Sequence, residues 1–339
     1  MKKLRVAING FGRIGRLVTR IIAAKKSDVI ELVAINDLTD VRTLAHLLTY
    51  DSLHGTYVGN ISASADKHTI TIDNQHIQIL NEPDPEKLPW KKLDIDLVVE
   101  ATGRFKTRDQ IQKQLHAGAK KVVVSAPTEG EDLMLVMGVN EQKYDPSTHH
   151  FISASSCTTT CLAPVVKVLH EQLGVARGLM TTIHSYTNDQ VLLDLAHDDL
   201  RRARAAAMSM IPTSTGAAKA VGKVIPELAG KLNGMAMRVP TPNVSCVDIV
   251  LEVERETSKT KINQILQEAA RQMDDVIDVS KLPLVSIDYN GSRFAAIVDA
   301  ESTMVLDKNL IKLILWYDNE WGYSYRMVEL ISYIAKHRI

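Results

Sequence analysis

The sequence of 339 residues has few cysteines, no excess of either charge and no long apolar run. Three cysteines are too few for a disulfide framework. Lysine plus arginine equals aspartate plus glutamate, at 40 each, which argues against nucleic acid as the main partner because phosphate-backbone binding needs a basic surface. No run of about 18 apolar residues occurs, and the apolar segment near Met1 is too short for a signal peptide. We therefore expect a cytoplasmic protein with no membrane partner, long enough for two domains.

A glycine-rich segment lies between a predicted strand at residues 4–8 and a predicted helix. It reads Gly10-Phe11-Gly12-Arg13-Ile14-Gly15, and a second predicted strand at 30–35 ends at Asn36-Asp37. Glycines let the backbone approach a pyrophosphate at the helix N-terminus, and an acid after the next strand binds the ribose hydroxyls. The pattern predicts a dinucleotide site at Gly10, Gly12, Gly15 and Asp37. The alternative is an ordinary glycine turn in an α/β fold.

Further strands are predicted at 69–72, 76–80, 97–100 and 122–125, with a helix at 107–116. Ser125 comes at the end of one of these strands, where doubly wound sheets bind their ligands. We interpret residues 1–155 as an α/β domain of the Rossmann type that binds the cofactor.

The second half contains a cysteine at a predicted helix start and a histidine at a predicted strand end. Cys157 follows serines that can cap a helix, and a thiol at a helix N-terminus ionises more readily. His184 ends the strand predicted at 178–184, and Cys–His pairing is a usual way to activate a thiol. The alternatives are that Cys157 and Cys161 are small buried residues on one helix face, and that His184 is structural.

Polar segments and closely spaced strands follow. The arginines of residues 201–204, with the hydroxyl-rich turn predicted at 213–216, indicate either an anion site or a solvated helix face. Strands are predicted at 235–239, 244–252, 294–298 and 311–316, with helices at 261–273 and 322–337. With so few crossover helices, the pattern predicts a mixed or antiparallel sheet in an α+β domain.

These segments together resemble the phosphorylating glyceraldehyde-3-phosphate dehydrogenases, nearly end to end. The motifs that carry the resemblance are Ile8-Asn9-Gly10-Phe11-Gly12-Arg13-Ile14-Gly15-Arg16, Ser156-Cys157-Thr158-Thr159, His184-Ser185-Tyr186-Thr187-Asn188-Asp189-Gln190, Leu200-Arg201-Arg202-Ala203-Arg204, Pro212-Thr213-Ser214-Thr215-Gly216-Ala217-Ala218-Lys219 and Trp316-Tyr317-Asp318-Asn319-Glu320-Trp321-Gly322-Tyr323. The resemblance implies a Rossmann domain (1–155), a catalytic domain (156–320) and a C-terminal helix (321–339) that packs back on the first. It also implies a homotetramer in which the loop at about 185–210 reaches a neighbour's cofactor.

The resemblance also implies the chemistry and the residues that perform it. Cys157 would attack the aldehyde of glyceraldehyde 3-phosphate, His184 would act as acid and base, and inorganic phosphate would release 1,3-bisphosphoglycerate. The substrate phosphate would contact Thr187 and Arg238, near Asp189. The attacking phosphate would contact Ser156, Thr158, Thr215 and Gly216. The cofactor would contact Arg13, Ile14, Asp37, Ser125 and Asn319. NAD is the predicted cofactor with NADP as the alternative, and no metal site is predicted.

Four positions depart from the family pattern. Ala154 and Thr160 replace two asparagines that flank the family's cysteine, Pro83 replaces a basic residue near the adenine ribose, and Ala196 follows Leu195 where NAD-preferring members frequently have proline. Two alternatives to the main prediction follow. One is erythrose-4-phosphate dehydrogenase, which the segment after His184 argues against. The other is a non-catalytic dinucleotide-binding descendant, supported only by Ala154 and Thr160.

Overall fold

A computed structural model describes residues 2–25, 27–273 and 275–337. The chain forms two compact units. The first comprises Met1–Leu135, Glu141–Ser155 and Ser324–Ile339, and the second comprises Val136–Asn140 and Ser156–Tyr323. No helix among the described residues combines the length and the apolar character needed to cross a membrane.

The first unit is built on a largely parallel sheet. Its elements are β1 (Leu4–Asn9), α1 (Arg13–Ala24), β2 (Ile30–Asn36), α2 (Val41–Thr49), β3 (Tyr50–Asp51), β4 (Gly55–Thr56), β5 (Ile61–Ser64), β6 (Thr69–Ile72), β7 (Gln75–Leu80), β8 (Leu97–Glu100), α3 (Arg108–His116), β9 (Lys121–Val124), β10 (Leu133–Met134) and β11 (Phe151–Ser153). The strand order is β10-β11-β9-β8-β1-β2-β7-β6-β5, and β3 pairs with β4 separately. Within the large sheet the pairs β5–β6 and β6–β7 are antiparallel and the others are parallel, and the separate pair β3–β4 is antiparallel.

Burial explains why these strands read as continuous apolar runs. The central strands β1, β8 and β9 are buried along nearly their whole length, as strands covered on both faces are. Because β1 lies between β8 and β2, the chain leaves β1 at the point where the strand order reverses. Open α/β sheets bind their ligands at this point, beyond the carboxyl ends of the strands. The first glycine of the predicted dinucleotide segment, Gly10, directly follows β1.

The second unit is built on a mixed sheet. Its elements are α4 (Cys157–Leu173), β12 (Val175–Ser185), β13 (Ile211–Ser214), α5 (Ala217–Val224), β14 (Leu232–Val239), β15 (Ser245–Val253), α6 (Lys259–Gln272), β16 (Ile277–Ser280), β17 (Ala296–Asp299), β18 (Met304–Leu306), β19 (Leu310–Tyr317) and the start of α7 (Trp321–Lys336). The strand order is β13-β14-β12-β15-β19-β17-β16, and β18 pairs with β19. The pairs β12–β14 and β16–β17 are parallel and the others antiparallel. The prediction of a mixed sheet is therefore confirmed.

The structure contradicts one local prediction, the turn at 213–216, and one alternative, the helix at 201–204. Thr213 and Ser214 are not part of a turn but end β13, where they pair with Ala236 and Met235 of β14. The arginines at 201–204 do not lie on a helix, because the chain there forms turns. At 213–214 local composition favoured a turn, and long-range pairing with β14 decided the structure.

Candidate active site

Cys157 is the first residue of α4. Ser156 caps this helix, since its Oγ accepts a hydrogen bond from the N–H of Thr159 at 3.1 Å. Ser155, directly before the cap, has φ 60°, so the backbone turns from β11 into the helix through the left-handed region. Non-glycine residues held in this region concentrate at functional sites. The thiol therefore stands at the positive end of a capped helix, as predicted.

His184 lies opposite this thiol. Its Nε2 is 3.5 Å from Cys157 Sγ, and the ring is buried. Strand β12 pairs in parallel with β14, in a register that sets His184 beside Arg238. The guanidinium Nη1 of Arg238 is 2.6 Å from His184 Nδ1 and donates to the carbonyl of Ser185 at 3.0 Å. The sheet register thus brings the predicted base and a predicted phosphate ligand together.

Two contacts of His184 Nδ1 favour opposite tautomers of the ring. The carbonyl oxygen of Ser185, 2.7 Å away, can only accept, whereas Nη1 of Arg238, 2.6 Å away, can only donate. A base at Nε2 requires the tautomer in which Nδ1–H donates to the Ser185 carbonyl and Nε2 carries the lone pair. Burial, and after it the charge of Arg238, lowers the pKa of His184 to about 3. Burial also raises the pKa of Cys157, and the charge of Arg238 opposes that rise. The resting pair is therefore a neutral thiol and a neutral imidazole.

A buried tyrosine holds the two sides of this pair in place. The hydroxyl of Tyr317, at the end of β19, lies 2.9 Å from Thr158 Oγ1 on α4 and 2.9 Å from Thr182 Oγ1 on β12. Its ring meets the ring of His184 edge to face, with centroids 6.0 Å apart. The Tyr317 hydroxyl therefore fixes the start of α4 against the strand that carries the histidine.

The residues predicted for the attacking phosphate lie at the starts of α4 and α5. Thr159 Oγ1 lies 3.4 Å from the carbonyl of Ala217, which brings these two helix starts together. Thr215 Oγ1 accepts the N–H of Ala217 at 3.2 Å, and a side chain at Gly216 would meet nothing within 4 Å. The Thr158 hydroxyl contacts Tyr317, and the backbone N–H of Thr158, in the first turn of α4, is a further donor for an anion.

The residues predicted for the substrate phosphate lie on β14 and in the loop after β12. Arg238 Nε is buried without a hydrogen-bond partner among the described residues, so this donor has capacity for an anion. Thr187 is half-buried in the loop. Asp189 is ion-paired with Arg202, which also donates to Thr213 Oγ1 at 3.1 Å.

Arg204 is likewise paired, with Asp194. The arginines of residues 201–204 therefore bond both to the loop itself and to β13.

The glycines of the predicted dinucleotide segment differ in what surrounds them. Gly10 has φ +93°, and a Cβ there would lie 2.5 Å from the backbone nitrogen of Thr102. A Cβ on Gly15 would lie 2.2 Å from the carbonyl oxygen of Gly10. A Cβ on Gly12, the N-cap of α1, would meet nothing within 4 Å, and no side chain caps this helix. Gly10 and Gly15 therefore allow close packing, whereas Gly12 leaves the helix N-terminus open to a phosphate.

Asp37 and Arg13 stand on either side of this segment. The carboxylate of Asp37 accepts the N–H groups of Phe11 at 2.8 Å and Thr39 at 3.0 Å, which leaves it capacity to accept ribose hydroxyls. The guanidinium of Arg13 is bonded to Asp51, at 2.5 and 3.1 Å. Arg13 therefore offers its backbone N–H rather than its side chain.

Ile14, the next residue of α1, is half-buried. Ser125 directly follows β9, so it lies at the same carboxyl edge of the sheet as Gly10. The groups predicted for the adenosine and pyrophosphate of a dinucleotide are thus all in the first unit and fit it. Asn319 is in the second unit.

Sequence reasoning missed Tyr317, Thr182 and Ser185 as parts of the site, and also Ser245, whose Oγ accepts the backbone N–H of Ser185 at 3.1 Å. Thr182 could have been found, because it lies two residues before His184 and so points to the same face of β12. Tyr317 lies in a motif that the resemblance used, but nothing in its spacing shows that it reaches α4.

A parallel sheet with an open glycine segment, and a helix-capped thiol beside an imidazole, together define a thiol-dependent, dinucleotide-linked oxidoreductase.

Comparison with known proteins gives the family within this class. Residues 4–108 match the family model described as glyceraldehyde 3-phosphate dehydrogenase, NAD binding domain, and residues 156–319 match its C-terminal domain. The glyceraldehyde-3-phosphate dehydrogenase of Geobacillus stearothermophilus is 57% identical over 333 residues, 98% of each chain. A protein named glyceraldehyde-3-phosphate dehydrogenase 1 in Bacillus cereus is 54% identical, over 98% of each chain. The chain belongs to the glyceraldehyde 3-phosphate dehydrogenase family, which confirms the resemblance and the predicted fold class.

Proposed function

We propose that this chain oxidises glyceraldehyde 3-phosphate to 1,3-bisphosphoglycerate with NAD and inorganic phosphate. The observation that carries the proposal is the distance of 3.5 Å between Cys157 Sγ and His184 Nε2 at the start of α4. A nucleophile within reach of a base, which a third group orients, is the arrangement that covalent catalysis requires. Here the carbonyl of Ser185 is the orienting group.

The residues of the second unit perform the covalent chemistry. His184 Nε2 accepts the thiol proton while Cys157 Sγ bonds to the aldehyde carbon, and the proton passes to the carbonyl oxygen to complete a hemithioacetal. His184 then takes the hydroxyl proton as the carbon loses its hydride and becomes a thioester. A phosphate oxygen attacks the thioester carbon, the carbon–sulfur bond breaks, and His184 returns the proton to the leaving sulfur.

Bound NAD supplies the acceptor for the hydride. Gly12, the backbone N–H groups of Arg13 and Ile14, and Asp37 would hold its pyrophosphate and ribose, and Ser125 and Asn319 would line the remainder. Asp37 favours NAD over NADP, since a carboxylate repels a 2′-phosphate. We assign residues 1–155 to cofactor binding, 156–320 to catalysis and 321–339 to a helix that completes the first domain.

Two anion sites complete the proposal. The substrate phosphate contacts Thr187 and Arg238, whose buried Nε is unused. The attacking phosphate contacts Ser156, Thr158, Thr215 and Gly216, supported by the bond between Thr159 and Ala217 that brings the starts of α4 and α5 together.

We also propose a cytoplasmic homotetramer. Free cysteines (Cys157, Cys161 and Cys246) suit a reducing compartment. The loop between β12 and β13 exposes a group of large apolar side chains, and contiguous exposed apolar surface marks interfaces. They are Leu192, Leu193, Leu195, Leu200, Met208 and Met210, each 67–82% exposed. Light scattering coupled to size-exclusion chromatography measures the oligomeric state, and a monomer would contradict this part of the proposal.

Replacement of the two catalytic side chains tests the chemistry. Cys157→Ser should abolish phosphate-dependent NADH formation, because a serine hydroxyl ionises far less readily than a thiol. His184→Asn should lower kcat by about 10²–10⁴-fold. Cys161→Ser is the matched control, since this thiol is fully buried four residues further along the same helix, and it should keep the chemistry at a modest cost in stability.

The natural protein should be assayed with glyceraldehyde 3-phosphate, and in parallel with erythrose 4-phosphate. Near-normal turnover by Cys157→Ser would contradict the mechanism. Preference for erythrose 4-phosphate, or cofactor binding without turnover, would favour the corresponding alternative.

A further inference from the structure

The side-chain amide of Asn319 has its oxygen bonded to two buried hydroxyls. Oδ1 accepts from Ser185 Oγ at 2.8 Å and from Ser245 Oγ at 2.8 Å. Ser185, Ser245 and Asn319 are 0%, 1% and 5% exposed. Among the described residues, no hydrogen-bond partner is found for Nδ2. The two serines therefore set the orientation of the amide, with its two N–H donors directed away from them.

The hydrogen bonds of Ser245 explain the direction of its own hydroxyl. Its Oγ already accepts the backbone N–H of Ser185 at 3.1 Å, so its single proton is left for Asn319 Oδ1. Satisfied buried hydroxyls of this kind hold their partners rigidly, because any rotation leaves a polar group unpaired.

The residues before both partners are joined as well. Asn243 Nδ2 donates to Asp318 Oδ2 at 2.9 Å, so the segments 243–245 and 318–319 are linked at two successive points. Between the two links Val244, buried and β-branched, is held at φ 65°. A β-branched residue in the left-handed region is a strained exception that persists only where its surroundings impose it, and such residues concentrate at functional sites.

Ser185 connects this cluster to the catalytic base. Its carbonyl oxygen lies 2.7 Å from His184 Nδ1, while its hydroxyl donates to Asn319. One residue thus orients the imidazole through its backbone and the amide through its side chain. A displacement of Ser185 would move both.

We propose that Ser185 and Ser245 are positioning residues that hold the Asn319 amide with Nδ2 ready to donate to the carboxamide oxygen of the nicotinamide. The inference rests on the proposed function, in which Asn319 lines the cofactor. The two hydroxyls then contribute to NAD affinity through the nicotinamide. They do not affect the affinity that comes from adenosine and pyrophosphate.

Two ligands that differ in the nicotinamide test this assignment. NAD and ADP-ribose share every group except that ring, and calorimetric titration measures the Kd of each without turnover. Ser245→Ala should raise the Kd for NAD about three- to tenfold and leave the Kd for ADP-ribose unchanged. Ser332→Ala is the matched control, because its hydroxyl donates only to the carbonyl of Val328 within α7, and it should change neither Kd.

Ser185→Ala provides a second variant if Ser245→Ala fails to fold, and should show the same contrast. An unchanged Kd for NAD would overturn the proposal. An equal rise in the Kd of NAD and of ADP-ribose would also overturn it, because the substitution would then have disturbed the whole cofactor site. A natural protein that binds NAD without oxidising glyceraldehyde 3-phosphate would overturn the proposed function alone, and one that binds no NAD would overturn both.

Discussion

Addition of a single methyl group at Gly12 or at Gly15 should separate cofactor binding from folding. In Gly15→Ala the new Cβ lies 2.2 Å from the backbone oxygen of Gly10, well inside contact distance, so the glycine segment must move. In Gly12→Ala the new Cβ meets no protein atom within 4 Å. We expect Gly15→Ala to destabilise the first unit and Gly12→Ala to weaken NAD binding in a protein that remains stable.

The magnitudes follow from the two environments. Overpacking costs about 1–3 kcal/mol, and a clash with backbone belongs at the upper end, while alanine regains about 1 kcal/mol of helix propensity. The free energy of unfolding of Gly15→Ala should therefore fall by about 2 kcal/mol, which lowers the midpoint of thermal unfolding by about 4–8 °C. Gly12→Ala costs under about 1 kcal/mol at an N-cap. It should raise the Kd for NAD at least about tenfold, the effect of losing one charge-assisted hydrogen bond to phosphate.

Thermal unfolding without cofactor and calorimetric titration with NAD measure the two effects separately. The two variants serve as controls for each other, since both add one methyl group to the same segment. Normal NAD affinity in Gly12→Ala would refute the inference that its open side faces the pyrophosphate. An unchanged midpoint in Gly15→Ala would refute the close packing of α1 on the end of β1.

Three further predictions concern pH, cofactor preference and the departures from the family pattern. The pKa of His184 falls from 6.5 to about 3 on folding, so the unfolded chain binds more protons than the folded chain between these pH values. The free energy of unfolding should therefore fall as pH drops below about 6.5, by up to about 1.4 kcal/mol per pH unit. A flatter profile of unfolding midpoint against pH in His184→Asn would confirm that His184 causes the fall. The ratio kcat/KM should be higher with NAD than with NADP because of Asp37, and the reverse result would contradict the weight given to that carboxylate. Ala154 and Thr160 are buried, and restoring asparagine at both should change kcat or the KM for cofactor by about tenfold at most; an inactive natural protein that this double variant activates would favour the non-catalytic alternative.

The parts of the site that local rules govern could be predicted from the sequence. The segment from Gly10 to Gly15 runs from the end of β1 into the first turn of α1, and Ser156 caps the helix of Cys157 from the adjacent position. Strand–turn–helix patterns and capping depend on neighbours in sequence, so they are visible without a structure.

The parts that depend on sheet order could not be predicted. Arg238 meets His184 only because β12 pairs in parallel with β14, and Tyr317 reaches Thr158 across 159 positions of sequence. Residue patterns do not show which strand lies beside which, so these contacts could not be predicted from the sequence. Thr213 and Ser214 illustrate the same point, since their composition favours a turn and pairing with β14 makes them a strand.

The first compact unit contains both the beginning and the end of the chain. It runs to Ser155 apart from residues 136–140 and resumes only at Ser324, where α7 supplies the buried side chains of Met327, Leu330 and Ile331. During synthesis on the ribosome this unit therefore lacks its last helix until the whole second unit has been made, a delay of roughly 10–30 s. The apolar surface that α7 will cover stays exposed for that time, so a nascent chain that stalls or ends early would present it to chaperones and proteases.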